Sequence, residues 1–223
     1  MIRIHRFKAT FISVPKTGST SIREFLIDNV VSAEDTITYH NDMIQNVDVG
    51  LHSHYTQSDA IKNNLSVSDD TFYATIREPL ERTLSLYLYR WKQGKIQKPS
   101  IADFRLQLYK GEGWIQDRKP YQMKLQSEFM NNGTWWCYDN LDFHIKDLIQ
   151  KYAIEVKVPF GIHNQSSLVP THKLVDHFYD EATKNIVRNA QQPDFDLYEK
   201  VKNKYRNSSN LGTGKVSEKT LTS

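Results

Sequence analysis

One cysteine stands in the whole chain, Cys137, and a single thiol rules out an intramolecular disulfide and any cysteine-built metal knot. Long apolar runs are missing too: nothing approaches the roughly 18 residues of a membrane span. The opening MIRIHRFKATFISV carries basic residues but neither a long apolar stretch nor a small-residue cleavage site. The expectation is a soluble, cytoplasmic protein with no signal peptide, membrane anchor or membrane insertion. Charge of one sign is scarce, because 29 Lys and Arg against 26 Asp and Glu leave a net +3. That surplus suits an anionic ligand. It falls short of a nucleic-acid footprint, and no arginine-rich stripe is present, so no nucleic-acid partner is expected. Repeats at solenoid periods are also absent.

What is there reads as one domain over residues 1–206, followed by a small-residue polar stretch at 207–223 (NSSNLGTGKVSEKTLTS) that reads as a disordered tail. ATFISV (9–14) is short, apolar and β-branched, as in a buried strand, and TSIREFLIDNV (20–30) puts Ile22, Phe25, Leu26 and Val30 on one helical face. TITYH (36–40) and TFYATI (71–76) read as further strands. PLERTLSLYLYRWKQG (79–94) is a helix with Pro79 in its first turn, Gly94 at its exit and a buried stripe of Leu80, Leu84, Tyr87, Leu88 and Trp91. Helices are expected at 100–109, 141–154, 180–190 and 195–205, and a strand at 134–139 that buries Cys137 as an inert thiol. Strands alternating with helices argue for an α/β domain with a largely parallel sheet covered on both faces. Ligands in such folds bind beyond the carboxyl ends of the strands. Lys16 and Arg77 each follow a predicted strand and can share that rim.

PKTGSTS (15–21) joins the first of these strands to the first helix. Gly18 permits a tight path that points amides at an anion, the helix adds its N-terminal N–H groups, and Ser19, Thr20 and Ser21 add hydroxyls. The nucleotide loop G-x-x-x-x-G-K-[ST] does not match, because the lysine stands at the front, at Lys16, and no Lys-Ser/Thr pair is present for phosphate and magnesium. By itself this stretch is equally well an ordinary Gly/Ser/Thr turn with an N-cap.

The second stretch, REPLERTLSLY (77–87), again follows a strand. With both in order, the chain resembles the sulfotransferases that use 3′-phosphoadenosine 5′-phosphosulfate (PAPS), whose motifs are P-K-x-G-[ST]-[ST] and R-[DE]-P-x-x-R-x-x-S-x-Y. The resemblance spans residues 8–205, with its specific motifs in the first 90 residues. It implies a three-layer α/β sandwich like that of P-loop nucleotide hydrolases, around a central, mainly parallel sheet. Lys16 then corresponds to the lysine at the phosphosulfate bridge. Thr17, Gly18, Ser19, Thr20 and Ser21 correspond to the 5′-phosphate loop, and Arg77 and Ser85 to the 3′-phosphate pair. The bland alternative for Arg77 is an ion pair with Glu78 or Glu81. A sulfuryl group carries less negative charge than a phosphoryl group, so no metal is expected.

Between the motifs lies VGLHSHYTQSDA (49–60), where an extended chain sets His52 and His54 on one face. Two such imidazoles can be zinc ligands, a base with a helper, or buried polar residues. Zinc would need further ligands, and His163 and His172 are the only loose candidates. The carbohydrate-sulfating branch, especially the uronic-acid 2-O-sulfotransferases, carries a similar H-x-H ahead of the 3′-phosphate strand. That likeness implies a histidine base, His54 with His52 as partner or the reverse.

The function implied is transfer of a sulfuryl group from PAPS to a hydroxyl-bearing acceptor, a carbohydrate or glycan, with adenosine 3′,5′-bisphosphate as product. An ATP-dependent kinase on the same loop architecture and a non-catalytic nucleotide-binding relative are the other readings. YQMKLQSEFM (121–130) resembles a family segment with a Gln near the nucleotide, which points to Gln126 and Ser127. VPFGIHNQSS (158–167) resembles a loop that borders the site. The basic loop that many members close over the nucleotide has no clear counterpart here beyond Lys173. Among the tryptophans, Trp114 in its Gly-rich loop is the best candidate for stacking on a sugar ring.

Overall fold

The computed structural model describes residues 1–37, 54–111, 124–161 and 169–211, with side chains to 206. Five strands form one sheet: β1 (Ile2–Ile4), β2 (Ala9–Ile12), β3 (Thr36–Ile37), β4 (Thr71–Ile76) and β5 (Thr134–Cys137), in the order β3-β1-β2-β4-β5. The core pairings β2–β4 and β4–β5 are parallel, whereas β1 runs antiparallel to β2 and β3. The result is an α/β fold with a mixed sheet and a parallel centre. β1 was not foreseen, since IRI is too short to show a period. Only the first two residues of the expected strand TITYH are in β3; the rest lie outside the described residues.

The helices are α1 (Ser19–Asn29), α2 (Gln57–Lys62), α3 (Pro79–Lys92), α4 (Ile101–Lys110), α5 (Leu141–Tyr152), α6 (Val175–Phe178), α7 (Glu181–Ala190) and α8 (Gln192–Leu211). Alternation along the central strands divides the core into two faces. Phe11, Tyr73 and Trp136 pack with Ile22, Phe25 and Leu26 of α1 and Leu141, Ile145 and Leu148 of α5. On the opposite face Ile12, Phe72 and Ala74 meet Ala60 of α2, while Ile76 and Cys137 meet Tyr198 and Val201 of α8. Two layers of helix thus enclose the sheet. α3, α4, α6 and α7 build a satellite cluster around Leu84, Tyr87, Phe104 and Phe178.

Two details depart from expectation. Trp91 is 44% exposed in the last turn of α3, while Leu80, Leu84, Tyr87 and Leu88 of the same stripe are buried. α8 continues to Leu211, past the start of the expected tail, and residues 212–223 lie outside the described residues. Cys137 is buried at the end of β5, where burial pushes its thiol up to about 11, as befits an inert sulfur.

Candidate active site

Parallel pairing brings the ends of β2 and β4 to one rim, with Ile12 opposite Ala74. Beyond β2 the chain bends sharply: Lys16 takes φ 65°, unusual for a residue with a side chain, and Gly18 takes φ 84°. Gly18 is doubly required, because a Cβ there would meet Leu141 Cδ1 at 2.8 Å. Thr17 points inward, not at the rim. Its hydroxyl donates to the Val14 carbonyl at 2.9 Å and contacts the Thr75 hydroxyl, which bolts the loop to β4. The loop opens α1 with Gly18 as N-cap, so no side chain caps the first-turn amides and no carboxylate stands among them. An anion is the partner that such a helix start accepts.

Arg77 immediately follows β4. Its backbone N–H donates to Gln126 Oε1 at 2.9 Å and its carbonyl accepts from Gln126 Nε2 at 2.9 Å, so one side-chain amide clamps the strand end. The guanidinium lies 4.4 Å from the Tyr138 ring, reaches Glu81 through Nη2 at 3.1 Å, and extends Nη1 to the Lys16 carbonyl at 3.4 Å. The ion pair with Glu81 that was the bland alternative for Arg77 therefore exists, largely buried, and it orients the arginine at the rim.

These groups meet in one cavity of about 1020 Å³, lined by Lys16, Gly18, Ser19, Thr20, Ser21, His54, Arg77 and Ser85. Lys16 Nζ rests over the Tyr89 ring at 4.1 Å. Burial, with Arg77 and Lys92 nearby, pushes its ammonium down to about 8. His54 Nδ1 lies 2.7 Å from the Ser13 carbonyl. A carbonyl only accepts, so Nδ1 carries the proton and Nε2 is left as an acceptor. Burial pushes this imidazole down to about 4, partly opposed by the Ser13 bond and reinforced by the Met1 ammonium, Arg82 and Arg23. The ring is neutral at pH 7, with Nε2 unprotonated, and the same burial makes it a weak base. Among the described residues, no group of three or more His, Cys, Asp or Glu is arranged to hold a metal.

The model of the sulfotransferase family matches residues 1–199. The chain belongs to the sulfotransferase family. Comparison with curated proteins and with solved structures finds no match. Among the described residues of this sulfotransferase, no helix is long and apolar enough to cross a membrane.

Of the sequence-predicted residues, His52, His163 and Trp114 lie outside the described residues; His172 lines the cavity, and among the described residues it belongs to no metal-holding group. Gln126 is fully buried behind Arg77, as a strut. Sequence reasoning missed Lys92, Tyr89 and Tyr138 on the cavity wall, and gave no role to Arg82. Arg82 is buried; its Nε donates to the Pro15 carbonyl at 3.1 Å and its Nη2 to the Lys124 carbonyl at 3.0 Å. The second arginine of REPLER was the available signal, but its partners are far away in sequence. Arg82→Ala leaves Asp194, 3.8 Å from Nη1, without its buried cation. The variant is expected to lose about 3 kcal/mol in urea denaturation; an unchanged midpoint would show that the staple carries no load.

Proposed function

We propose that this sulfotransferase moves a sulfuryl group from PAPS to a hydroxyl of a carbohydrate acceptor by in-line displacement, with His54 as general base. The observation that carries the reading is that one cavity holds a strand-end lysine at an uncapped helix start, a strand-end arginine beside it, and a histidine with an unprotonated nitrogen. A nucleotide phosphorylated on both sides of its ribose needs two cationic grips side by side, and Lys16 and Arg77 supply them. The cavity of about 1020 Å³ stands at the upper end of the usual range, roughly 300–1,000 Å³, which supports a second substrate alongside the nucleotide. The H-x-H likeness to uronic-acid 2-O-sulfotransferases supports a sugar hydroxyl as acceptor.

PAPS supplies the activated sulfuryl group and departs as adenosine 3′,5′-bisphosphate. The first-turn amides of α1, with Ser19, Thr20 and Ser21, hold the 5′-phosphate. Arg77 and Ser85 hold the 3′-phosphate. Lys16 neutralises charge growing on the leaving oxygen. His54 accepts the acceptor proton at Nε2, and its Nδ1–H bond to Ser13 strengthens as the ring becomes cationic.

Calorimetry tests the reading. Adenosine 3′,5′-bisphosphate is expected to bind more tightly than ATP, without magnesium, and about tenfold or more weakly in Arg77→Ala. Preference for ATP with magnesium would move the protein to the kinase class. The titrations add a pH signature. The base is competent only above its value of about 4, and the lysine is charged only below about 8. The profile of kcat/KM for the donor is therefore expected to rise through the first and fall through the second. Bound anions favour the ammonium, so the alkaline limb of kcat lies higher than that of kcat/KM. Initial rates across pH check this; a flat alkaline side in kcat/KM would remove Lys16 from its role.

A further inference from the structure

The two grips are tied together from behind by one carboxylate. Asp194 stands in the first turn of α8, fully buried. A carboxylate there ordinarily turns to its own helix amides. Here both oxygens are taken by another segment: Oδ2 accepts from the Gln126 N–H at 2.8 Å, and Oδ1 accepts from the Ser127 N–H and hydroxyl, each at 2.9 Å. This fixes the turn that presents the Gln126 amide, which clamps Arg77 by its N–H and carbonyl. The same Oδ2 faces Arg82 Nη1 at 3.8 Å, and Arg82 Nε holds the Pro15 carbonyl, one residue before Lys16. Two chains of contacts thus run from one side chain, one to each grip. Neither Asp194, Gln126 nor Arg82 lines the cavity.

We infer that Asp194, acting through Gln126 and Arg82, is the positioning residue that sets the spacing between the two phosphate grips, and so makes the cavity select a nucleotide with two phosphates over one with a single phosphate. A rigid spacing matters only when both grips are engaged at once. Loosening it costs the doubly held ligand and spares one held at the 5′ side alone. The inference rests on the two-phosphate reading of the cavity given above.

The test is a ratio: the affinity for adenosine 3′,5′-bisphosphate divided by that for adenosine 5′-monophosphate, measured by calorimetry on the full chain. Wild type, Asp194→Asn and Gln126→Ala are compared, each checked for folding by circular dichroism. Misplacing a group by about 1 Å can cost about 10²-fold, so the ratio is expected to fall by about tenfold or more in both variants, with binding of the monophosphate unchanged. Gln126→Ala leaves no buried charge unpaired, keeps the backbone N–H that Asp194 accepts from, and tests the branch from Asp194 to Arg77 by itself, while Asp194→Asn tests the carboxylate. A ratio equal to wild type, or a parallel loss of both ligands, overturns the inference and leaves Asp194 a purely structural residue. A wild type that does not prefer the bisphosphate instead overturns the reading of the cavity itself.

Discussion

His54→Ala is expected to lower sulfuryl transfer by about 10²–10⁴-fold while leaving the affinity for adenosine 3′,5′-bisphosphate nearly intact. The size follows from the state in which the ring is held. The Ser13 carbonyl fixes one tautomer, burial keeps the ring neutral, and the remaining nitrogen belongs to a side chain that lines the cavity. A histidine that served packing alone would change stability and leave the pH profile of the surviving activity alone. Loss of the base instead removes the acid limb as well as the rate. Single-turnover transfer, paired with calorimetry, separates the two. If His52→Ala abolishes transfer and His54→Ala does not, the base is the other histidine and His54 becomes its neighbour.

Lys16→Ala is expected to cost about 10²–10³-fold in kcat, the loss typical of one preorganised group at a developing negative charge. The ammonium is held in a largely buried place, beside Arg77 and Lys92, where its charge is unwelcome without an anion. On the proposed reading, bringing a phosphosulfate to it would relieve that cost, and the relief would grow as the bridging oxygen gains charge. The interaction therefore strengthens towards the transition state, and its removal lowers kcat more than it raises KM. Lys16→Arg is a demanding control: a planar guanidinium must replace a point charge resting over Tyr89 on a left-handed backbone. Full turnover in Lys16→Ala would take the lysine out of the chemistry.

The layout of both loop segments was legible because each is local. PKTGSTS and REPLERTLSLY carry strand end, turn and helix start within a few residues, and propensity, glycine placement and charge all agree there. The strands ATFISV and TFYATI were readable as short apolar, β-branched runs, the first of which ends at Ile12, two residues before the expected end. The tertiary ties were not. Arg82 meets Pro15 across 67 residues and Asp194 meets Gln126 across 68, and no short-range signal records either contact. The tautomer of His54 depends on Ser13, 41 residues away. Trp91 misled for the opposite reason: the helical period continues into the last turn of α3, but the packing there does not.

The position of Asp194 also orders events during synthesis. The loop at Lys16 and the strand end at Arg77 leave the ribosome early, yet the carboxylate that ties them together emerges more than a hundred residues after Arg77. At roughly 5–20 residues per second, the nascent chain exists for several seconds with both cationic strand ends translated and untied. Arg82 faces the same wait for its buried counter-ion. Docking of α8 is then the step that closes the assembly, and the proposed nucleotide site is completed late in the growth of the chain. A cellular polyanion that met the nascent chain before that step would find its cationic segments without their final geometry.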